Sequence, residues 1–302
     1  MLFQKEKIDL QVHPYFENYS LNNIARYLEN NDVGIVGLVN YNRDSFSPLE
    51  NALKKEYPEY IITSDSTAIR ILNINNGKET YLLRGIEVMN SENLQLVVIG
   101  NIKGIVPYRN IKKNIEIGVK NKALVIMDHP FADADHEYRS ITSKKKEELE
   151  DIAREFDDEI VWEWNSYCIP WIRKTIEIFM ASSPINEFLW DENYLGADVN
   201  KELENFALEM KNKGYNVNIV ADSDIHARTH RALKSIGKVG HIKVERSLIN
   251  YMSGKKIIES LKNSIKKGEN VGYENFKKYV SFSHILRFFG IPTILKLEKR
   301  RG

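Results

Sequence analysis

The sequence predicts an α/β fold in which helices cover a mostly parallel sheet. Strand-like apolar runs alternate with helix-like segments along most of the 302 residues, and this alternation is typical of a parallel sheet. Histidines and carboxylates also follow several of the apolar runs directly. Such side chains converge at one mouth when parallel strands close into a barrel.

Short apolar runs bounded by polar residues and turn formers mark the strands. They are predicted at about 8–13, 33–39, 68–74, 80–88, 94–99, 123–128, 159–164 and 217–222. The segment Asn75-Asn76-Gly77-Lys78 is typical of a hairpin turn between two of these runs.

Helices are predicted where apolar residues recur every three or four positions. The first is expected at 21–31, where Leu21, Ile24 and Leu28 mark one face and Ser20 is a suitable N-cap. The others are expected after Pro48 and at about 107–120, 144–156, parts of 171–190 and 198–213.

The composition is that of an ordinary globular protein, with 42% hydrophobic and 28% charged residues. No apolar run approaches the roughly 18 residues that a membrane-spanning helix needs, and the first residues contain no stretch of signal-peptide length. Cys168 is the only cysteine, so no internal disulfide is expected. We therefore expect a cytoplasmic protein without a membrane partner.

Charge is distributed unevenly along the chain. Residues 251–302 contain 12 Lys or Arg and 4 Glu, a balance of +8, so a total of +1 leaves −7 for residues 1–250. Lysines surround Ile257, Ile258, Leu261 and Ile265 at helical spacing. We expect a barrel domain over 1–250 and a basic helical extension over 251–302 that packs on it.

Five potential metal ligands each lie at the end of a predicted strand or just past it. They are His13, Glu87, His129, Asp224 and His226. Each alone is compatible with an ordinary loop residue, but together they are expected to line one pocket at the carboxyl ends of the strands. Imidazoles and carboxylates in one pocket are suitable ligands for a divalent metal.

The segments around these residues resemble the motifs of the polymerase and histidinol phosphatase (PHP) superfamily. Five segments resemble family motifs in the family's order. Asp9-Leu10-Gln11-Val12-His13 resembles D-L-H-x-H, Gly85-Ile86-Glu87 resembles G-x-E, and His129-Pro130 resembles H-P. Glu163-Trp164-Asn165 resembles E-x-N, and Asp222-Ser223-Asp224-Ile225-His226 resembles S-D-x-H. Order and approximate spacing agree over about residues 8–230. The resemblance implies a distorted (β/α)7 TIM-like barrel and metal-dependent phosphoester hydrolysis.

The resemblance also implies roles for individual residues. Glu87 is the expected bridging carboxylate, and His13 and Asp224 complete the first metal site with it. Gln11 lies where the family has its first histidine, and a neutral amide is a poor zinc ligand beside imidazole. His129 is expected to share a second site with Glu87.

A third site is expected to be empty. His226 would belong to it, but Tyr19 and Tyr41 occupy the positions of its partner ligands. We therefore expect one or two zinc, manganese or magnesium ions, or none, but not three. Asp128, Asp133, Asp135 and His136 are either substitute ligands or part of a solvated acidic loop.

Arginines near the expected mouth are candidates for binding a phosphate, because guanidinium pairs with phosphate oxygens in a bidentate manner. Arg228 follows His226 by two residues in a predicted mouth loop. Arg139 lies in a loop long enough to act as a lid.

Three functions remain open from the sequence. The first is a divergent phosphoesterase with Glu87, His13 and Asp224 as catalytic residues and a phosphorylated small molecule or nucleic acid as substrate. The second is a catalytically degenerate barrel that serves as a binding or interaction module. In the third, the basic tail binds nucleic acid by electrostatic attraction.

Overall fold

The structure is a computed structural model. It describes residues 3–13, 21–44, 46, 59–133, 136–140, 143–165, 199–226, 240–245 and 253–267. The helices predicted after Pro48 and within 171–190 lie outside these residues.

Thirteen strands and five α-helices are defined within the described residues. The strands are β1 (Phe3–His13), β2 (Val33–Leu38), β3 (Tyr60–Ser64), β4 (Ala68–Asn73), β5 (Glu79–Met89), β6 (Gln95–Ile99), β7 (Leu124–Asp128), β8 (Ala132–Asp133), β9 (His136–Ser140), β10 (Val161–Asn165), β11 (Asn218–Asp222), β12 (Ile225–His226) and β13 (Gly240–Glu245). The helices are α1 (Leu21–Asn31), α2 (Ile111–Lys120), α3 (Ser143–Phe156), α4 (Val199–Asn212) and α5 (Gly254–Lys266).

The main sheet has the strand order β11-β10-β7-β6-β5-β2-β1-β12, and β4, β3 and β13 pair at its sides. The pairs β1–β2, β2–β5, β7–β10, β10–β11 and β1–β12 are parallel. In contrast, β6 is antiparallel to both β5 and β7. The prediction of a mostly parallel sheet is wrong for β6, because the short 90–94 connection from β5 permits only an antiparallel hairpin.

The sheet curls so that its two ends approach each other. β11 lies at one end, and after Ser223 and Asp224 the chain enters β12, which pairs with β1 at the other end. The backbone N–H of Ser223 donates to Asp9 in β1 at 3.1 Å. No ladder joins β1 directly to β11 among the described strands, so the sheet is a curled half-barrel and the predicted complete barrel is not confirmed.

Alternation along the strands separates two apolar layers. One face of the sheet packs against α2, α3 and α4, and Trp162 of β10 lies 5.3 Å from Phe206 of α4 between ring centroids. The opposite face, called the inner face here, contributes residues such as Leu83, Ile126 and Val220. Helix α5 packs on the inner face.

Helix α5 covers the end of the inner face at which β7 begins. Its apolar residues Ile257, Ile258, Leu261 and Ile265 are buried, as their spacing predicts. The Lys262 ammonium donates to the carbonyl of Ala123, just before β7, at 3.1 Å. The proposed boundary between residues 250 and 251 stays a prediction. Within the described residues, no helix has both the length and the apolar character needed to span a bilayer.

Asp65 joins the β3–β4 turn to the start of α5. Its Oδ1 accepts the backbone N–H groups of Thr67 and Ala68 at 2.7 and 2.9 Å, and its Oδ2 accepts that of Gly254 at 2.8 Å. Burial alone would raise the pKa of Asp65, but hydrogen bonds from Thr67, Gly254 and Ala68 outweigh it and lower that pKa. The carboxylate therefore caps α5 from a distant part of the chain.

We expect Asp65→Ala to lower the free energy of unfolding by about 1–2 kcal/mol, the usual cost of losing a helix cap. The lowered pKa means that the stabilisation is present above the ordinary value of 3.8 and is lost as pH falls through the folded-state pKa. Urea unfolding at neutral and acid pH measures both effects. Asp151→Ala on exposed α3 is the control, and equal losses in the two variants would contradict the capping role.

Candidate active site

Carboxylates occupy inner-face positions at or near the carboxyl ends of four strands. Glu87 of β5, Asp128 of β7, Glu163 of β10 and Asp222 of β11 follow apolar inner-face residues at spacings of two or four, and all four are buried. Because side chains of one parity share a face, the strands that form the apolar layer also form this polar layer. The polar layer lies at the end of the inner face away from α5.

His13 lies between two carboxylates of this layer. Its Nε2 is 3.0 Å from Glu87 Oε2 and 3.3 Å from Asp224 Oδ1, and all three residues are buried. Burial alone would lower the pKa of His13, but Glu87 and Asp224 outweigh it and raise that pKa well above its ordinary value. Burial raises the pKa of Glu87, and the His13 charge opposes this. The structure thus brings together the three predicted catalytic residues.

Two glutamines hold the carboxylates from the sides. Gln11 Nε2 donates to Asp224 Oδ1 at 3.1 Å, and Gln95 Nε2 donates to Glu87 Oε1 at 2.7 Å. Gln11 therefore contacts the site in which the sequence places it. Sequence reasoning missed Gln95, although it opposes Asp128 across the β6–β7 ladder and lies at the start of β6.

A second group of carboxyls lies beside the first. Burial and the charges of Asp222 and Asp128 raise the pKa of Glu163 well above its ordinary value. Burial and the charges of Asp9, Asp224 and Asp128 also raise the pKa of Asp222 well above its ordinary value. A hydrogen bond with Glu163 acts in the opposite direction and lowers it. Sequence reasoning overlooked Asp222 as a site residue, because the motif it precedes directs attention to Asp224.

His129 and Asp224 both adopt left-handed backbone conformations. Their φ angles are 24° and 42°, values that cost residues other than glycine of order 1–3 kcal/mol. The His129 N–H donates to Glu163 Oε2 at 2.6 Å, and its Nε2 lies 3.4 Å from Asp128 Oδ2. His129 is thus anchored by Glu163 and Asp128. It belongs to the same polar layer as His13 and Glu87.

The other predicted site residues are only partly described. The His226 backbone is in register with His13, but its side chain lies outside the described part of the structure. The same holds for the side chain of Arg139 in β9, and Arg228 and Tyr19 lie wholly outside it. Tyr41 forms a parallel bridge with Glu87, and its side chain is exposed. The roles given to these residues stay predictions.

The donor atoms fit the chemistry of a divalent cation. Glu163 Oε1, both oxygens of Asp222 and the amide oxygens of Gln11 and Gln95 are buried and accept no N–H or hydroxyl hydrogen bond within the described structure. Oxygen ligands of this kind suit magnesium or manganese. No three His, Cys, Asp or Glu side chains of the described residues are arranged to hold a metal, however. The site has suitable donors but not a preformed coordination shell.

Comparison with known proteins gives no family assignment. No protein-family model matches the sequence, and no curated protein matches it. Among solved structures, the chain is similar to the lesion-specific endonuclease Q of Pyrococcus furiosus, with 13% identity, a TM-score of 0.48 and coverage of 89% of this chain and 58% of the other. The chain is also similar to endonuclease Q in complex with a 27-mer duplex that carries an abasic lesion. In that comparison the identity is 11%, the TM-score is 0.42, and the match covers 87% of this chain and 57% of the other. The chain thus spans less than two thirds of either structure, and membership of the PHP superfamily stays a prediction.

Replacing Glu163 with glutamine should stabilise the metal-free protein at alkaline pH. A carboxyl with a raised folded-state pKa contributes stability below its ordinary value of 4.5 and loses it as pH rises through the raised value. Glutamine removes that loss and can still accept the His129 N–H. We expect a gain of about 1–3 kcal/mol, the typical penalty for an uncompensated buried polar group.

The measurement is urea unfolding of wild type and Glu163→Gln at pH 5 and pH 8 in chelator. The difference between the two proteins should be larger at pH 8. A Glu163→Gln variant that is less stable than wild type at both values would show that the Glu163 charge is stabilising. Glu116→Gln on exposed α2 is the matched control and should behave like wild type.

Proposed function

We propose that the protein is a divergent metal-dependent phosphoesterase that hydrolyses a phosphomonoester or phosphodiester. The observation that carries this proposal is the position of His13 against both Glu87 and Asp224, at 3.0 and 3.3 Å, in a buried carboxylate layer. Outside metal or catalytic sites, so many buried ionisable groups are a large energetic cost.

The residues that would hold the metal are Glu87, His13, Asp224 and His129, with Gln11 beside them. His226 would belong to a third site, which we expect to be empty. Zinc, manganese and magnesium are the candidate ions, and the carboxylate-rich layer suits the last two best. When bound, such ions lower the pKa of water and offset charge on a phosphoryl group.

The residues of the chain itself orient the donors. Gln95 fixes one oxygen of Glu87 while His13 contacts the other, so the carboxylate has a defined rotation. Gln11 fixes Oδ1 of Asp224 in the same way. We assign phosphate binding to Arg228 and Arg139, which the sequence places near the mouth.

A binding module without hydrolysis is the second candidate. The Gln11–Asp224 hydrogen bond favours it, because an amide at the position of a histidine ligand gives Asp224 a partner other than a metal. The two candidates differ in whether added metal produces turnover.

Hydrolysis should require added Mn²⁺, Mg²⁺ or Zn²⁺ and should be slow, since the ligand set is incomplete. In a screen of generic phosphomonoesters and phosphodiesters, we expect Glu87→Gln to lower the metal-dependent rate by at least about 100-fold, beyond the usual effect of an outer-shell change. Asp224→Asn should have nearly the same effect.

The control for this screen is Glu116→Gln, which removes an exposed carboxylate of α2 and should keep the wild-type rate. Cys168→Ala should also keep it, because the proposed chemistry uses no thiol. Equal rates in wild type and Glu87→Gln would reveal a contaminating enzyme. The absence of any rate in all the proteins would support the binding module.

Gln11→His should strengthen metal binding, because a neutral imidazole is a better zinc ligand than an amide oxygen. We expect the dissociation constant for Zn²⁺ to fall roughly tenfold or more, by analogy with the effects of single groups at metal sites. Calorimetric titration of chelator-treated protein measures it. An unchanged dissociation constant would show that the side chain at position 11 does not face the metal.

A further inference from the structure

Three carboxyls of the polar layer form a group that we call the second carboxyl group: Asp128, Glu163 and Asp222. The Glu163 carboxyl contacts those of Asp222 and Asp128. The three side chains come from the adjacent strands β7, β10 and β11, and each residue is at most 1% exposed. His13 is not part of this group, because it contacts Glu87 and Asp224 instead.

Five of the six oxygens of this group accept no hydrogen bond within the described structure. They are both oxygens of Asp128, both oxygens of Asp222 and Oε1 of Glu163, and all are buried. The sixth oxygen, Glu163 Oε2, accepts the backbone N–H of His129 at 2.6 Å. His129 Nε2 lies 3.4 Å from Asp128 Oδ2, and no lysine or arginine of the described residues pairs with any of the three carboxyls. Buried carboxylates without donors are unfavourable, so this group requires either protons or a cation.

A neutral side chain contributes one more oxygen to the same layer. Gln95 of β6 opposes Asp128 across the β6–β7 ladder, so the two side chains project from the same face of the sheet. Gln95 is 7% exposed, and its Nε2 donates to Glu87 Oε1 at 2.7 Å. Its own Oε1 is therefore left buried without a hydrogen-bond donor in the described structure. Amide oxygens of this kind bind hard divalent cations together with carboxylates.

We propose that the second carboxyl group binds a divalent cation of its own, Mg²⁺ or Mn²⁺, through Asp128, Glu163 and Asp222, with the amide oxygen of Gln95 as a neutral ligand. All of these donors are oxygens, a set that suits magnesium and manganese better than zinc. This site differs in its ligands from the one that contains His13, and it goes beyond the proposed function because the ion binds without any turnover.

Binding requires the carboxyls to move apart. Glu163 lies against Asp222 and Asp128, and no three histidine, cysteine or acidic side chains of the described residues are arranged around a common point. Charged carboxylates in contact repel each other, because neither has a hydrogen to donate. A cation that enters between them replaces this repulsion with attraction, so the rotation of the side chains is favourable when an ion binds.

The test is binding of Mn²⁺ by the full chain at neutral pH after chelator treatment, followed through the EPR signal of free Mn²⁺. Asp222→Asn and Asp128→Asn keep the shape of each side chain and remove its charge. Each should raise the dissociation constant of one ion at least about 100-fold, beyond the usual effect of an outer-shell change. Glu87→Gln should retain this ion, because its amide oxygen can still accept the Gln95 N–H. Asp151→Asn on exposed α3 is the matched control and should bind like wild type.

Urea unfolding distinguishes a lost ligand from a damaged fold. In chelator, both asparagine variants should be at least as stable as wild type, because each removes a buried charge. Added Mn²⁺ should stabilise wild type more than either variant, since an ion that binds only the folded state shifts the unfolding equilibrium.

The outcomes separate this site from the proposed function. An ion that is retained in Glu87→Gln and lost in Asp222→Asn supports the second site, whether or not the protein hydrolyses a phosphoester. An ion that is lost in Glu87→Gln and kept in both asparagine variants overturns the second site and leaves the phosphoesterase intact. Loss of the same single ion in all three variants would overturn the claim of a separate site. Wild type that binds no Mn²⁺ would also overturn it, and would show that the carboxyls share protons instead.

Discussion

The structure depends on how it accommodates a group of buried carboxylates. Asp9, Glu87, Asp128, Glu163, Asp222 and Asp224 are all buried; His13 lies against Glu87 and Asp224, and His129 lies against Asp128. Carboxylates in a low-dielectric interior must be paired, protonated or bound to a cation. Burial is the main cause of the raised pKa values of Glu87, Glu163 and Asp222, and neighbouring carboxylates add to it.

Burial of the apolar layers stabilises the fold and offsets the energetic cost of the buried carboxylates. Helix α5 covers the inner face at the end away from the carboxylates. Its close packing on the sheet requires two glycines. At Gly100, where φ is 115°, a Cβ would lie 2.7 Å from the side chain of Ile258, and at Gly254 a Cβ would collide with Ala68. The helix can therefore approach the sheet closely enough to bury Ile257 and Leu261. A polar mouth and an apolar base on the same strands follow from this arrangement.

Much of the fold was predictable because strand periodicity is local. The strands that carry His13, Glu87, Asp128 and Asp222 lie close to where the sequence places them. Helix α2 begins at residue 111 rather than near 107, because Asn110 accepts the N–H of Lys113 as an N-cap. The antiparallel direction of β6 was also accessible from its short connection, but the alternation of strands and helices suggested otherwise.

The contacts of the site were less predictable, because they depend on residues far apart in sequence. Gln11 and Asp224 are 213 positions apart, and nothing near Gln11 indicates that it donates to that carboxylate. Gln95 appears in the sequence as a polar residue near the start of a predicted strand, and only the structure shows that it donates to Glu87 and opposes Asp128. The sequence spacing of the motifs predicts which residues lie at the carboxyl ends of the strands. Which of these residues contact each other depends on strand pairing between distant parts of the chain.

Two residues of the polar layer have strained backbone conformations. His129 and Asp224 hold positive φ angles, and such conformations persist only where surrounding contacts determine them. Glu163 supplies that contact for His129 through its N–H, and Gln11 with His13 supplies it for Asp224. Both strained residues thus aim metal-type side chains into the polar layer under the control of other buried polar groups. Under the proposed function, these fixed backbone positions would orient the side chains of His129 and Asp224 toward a bound cation and phosphate.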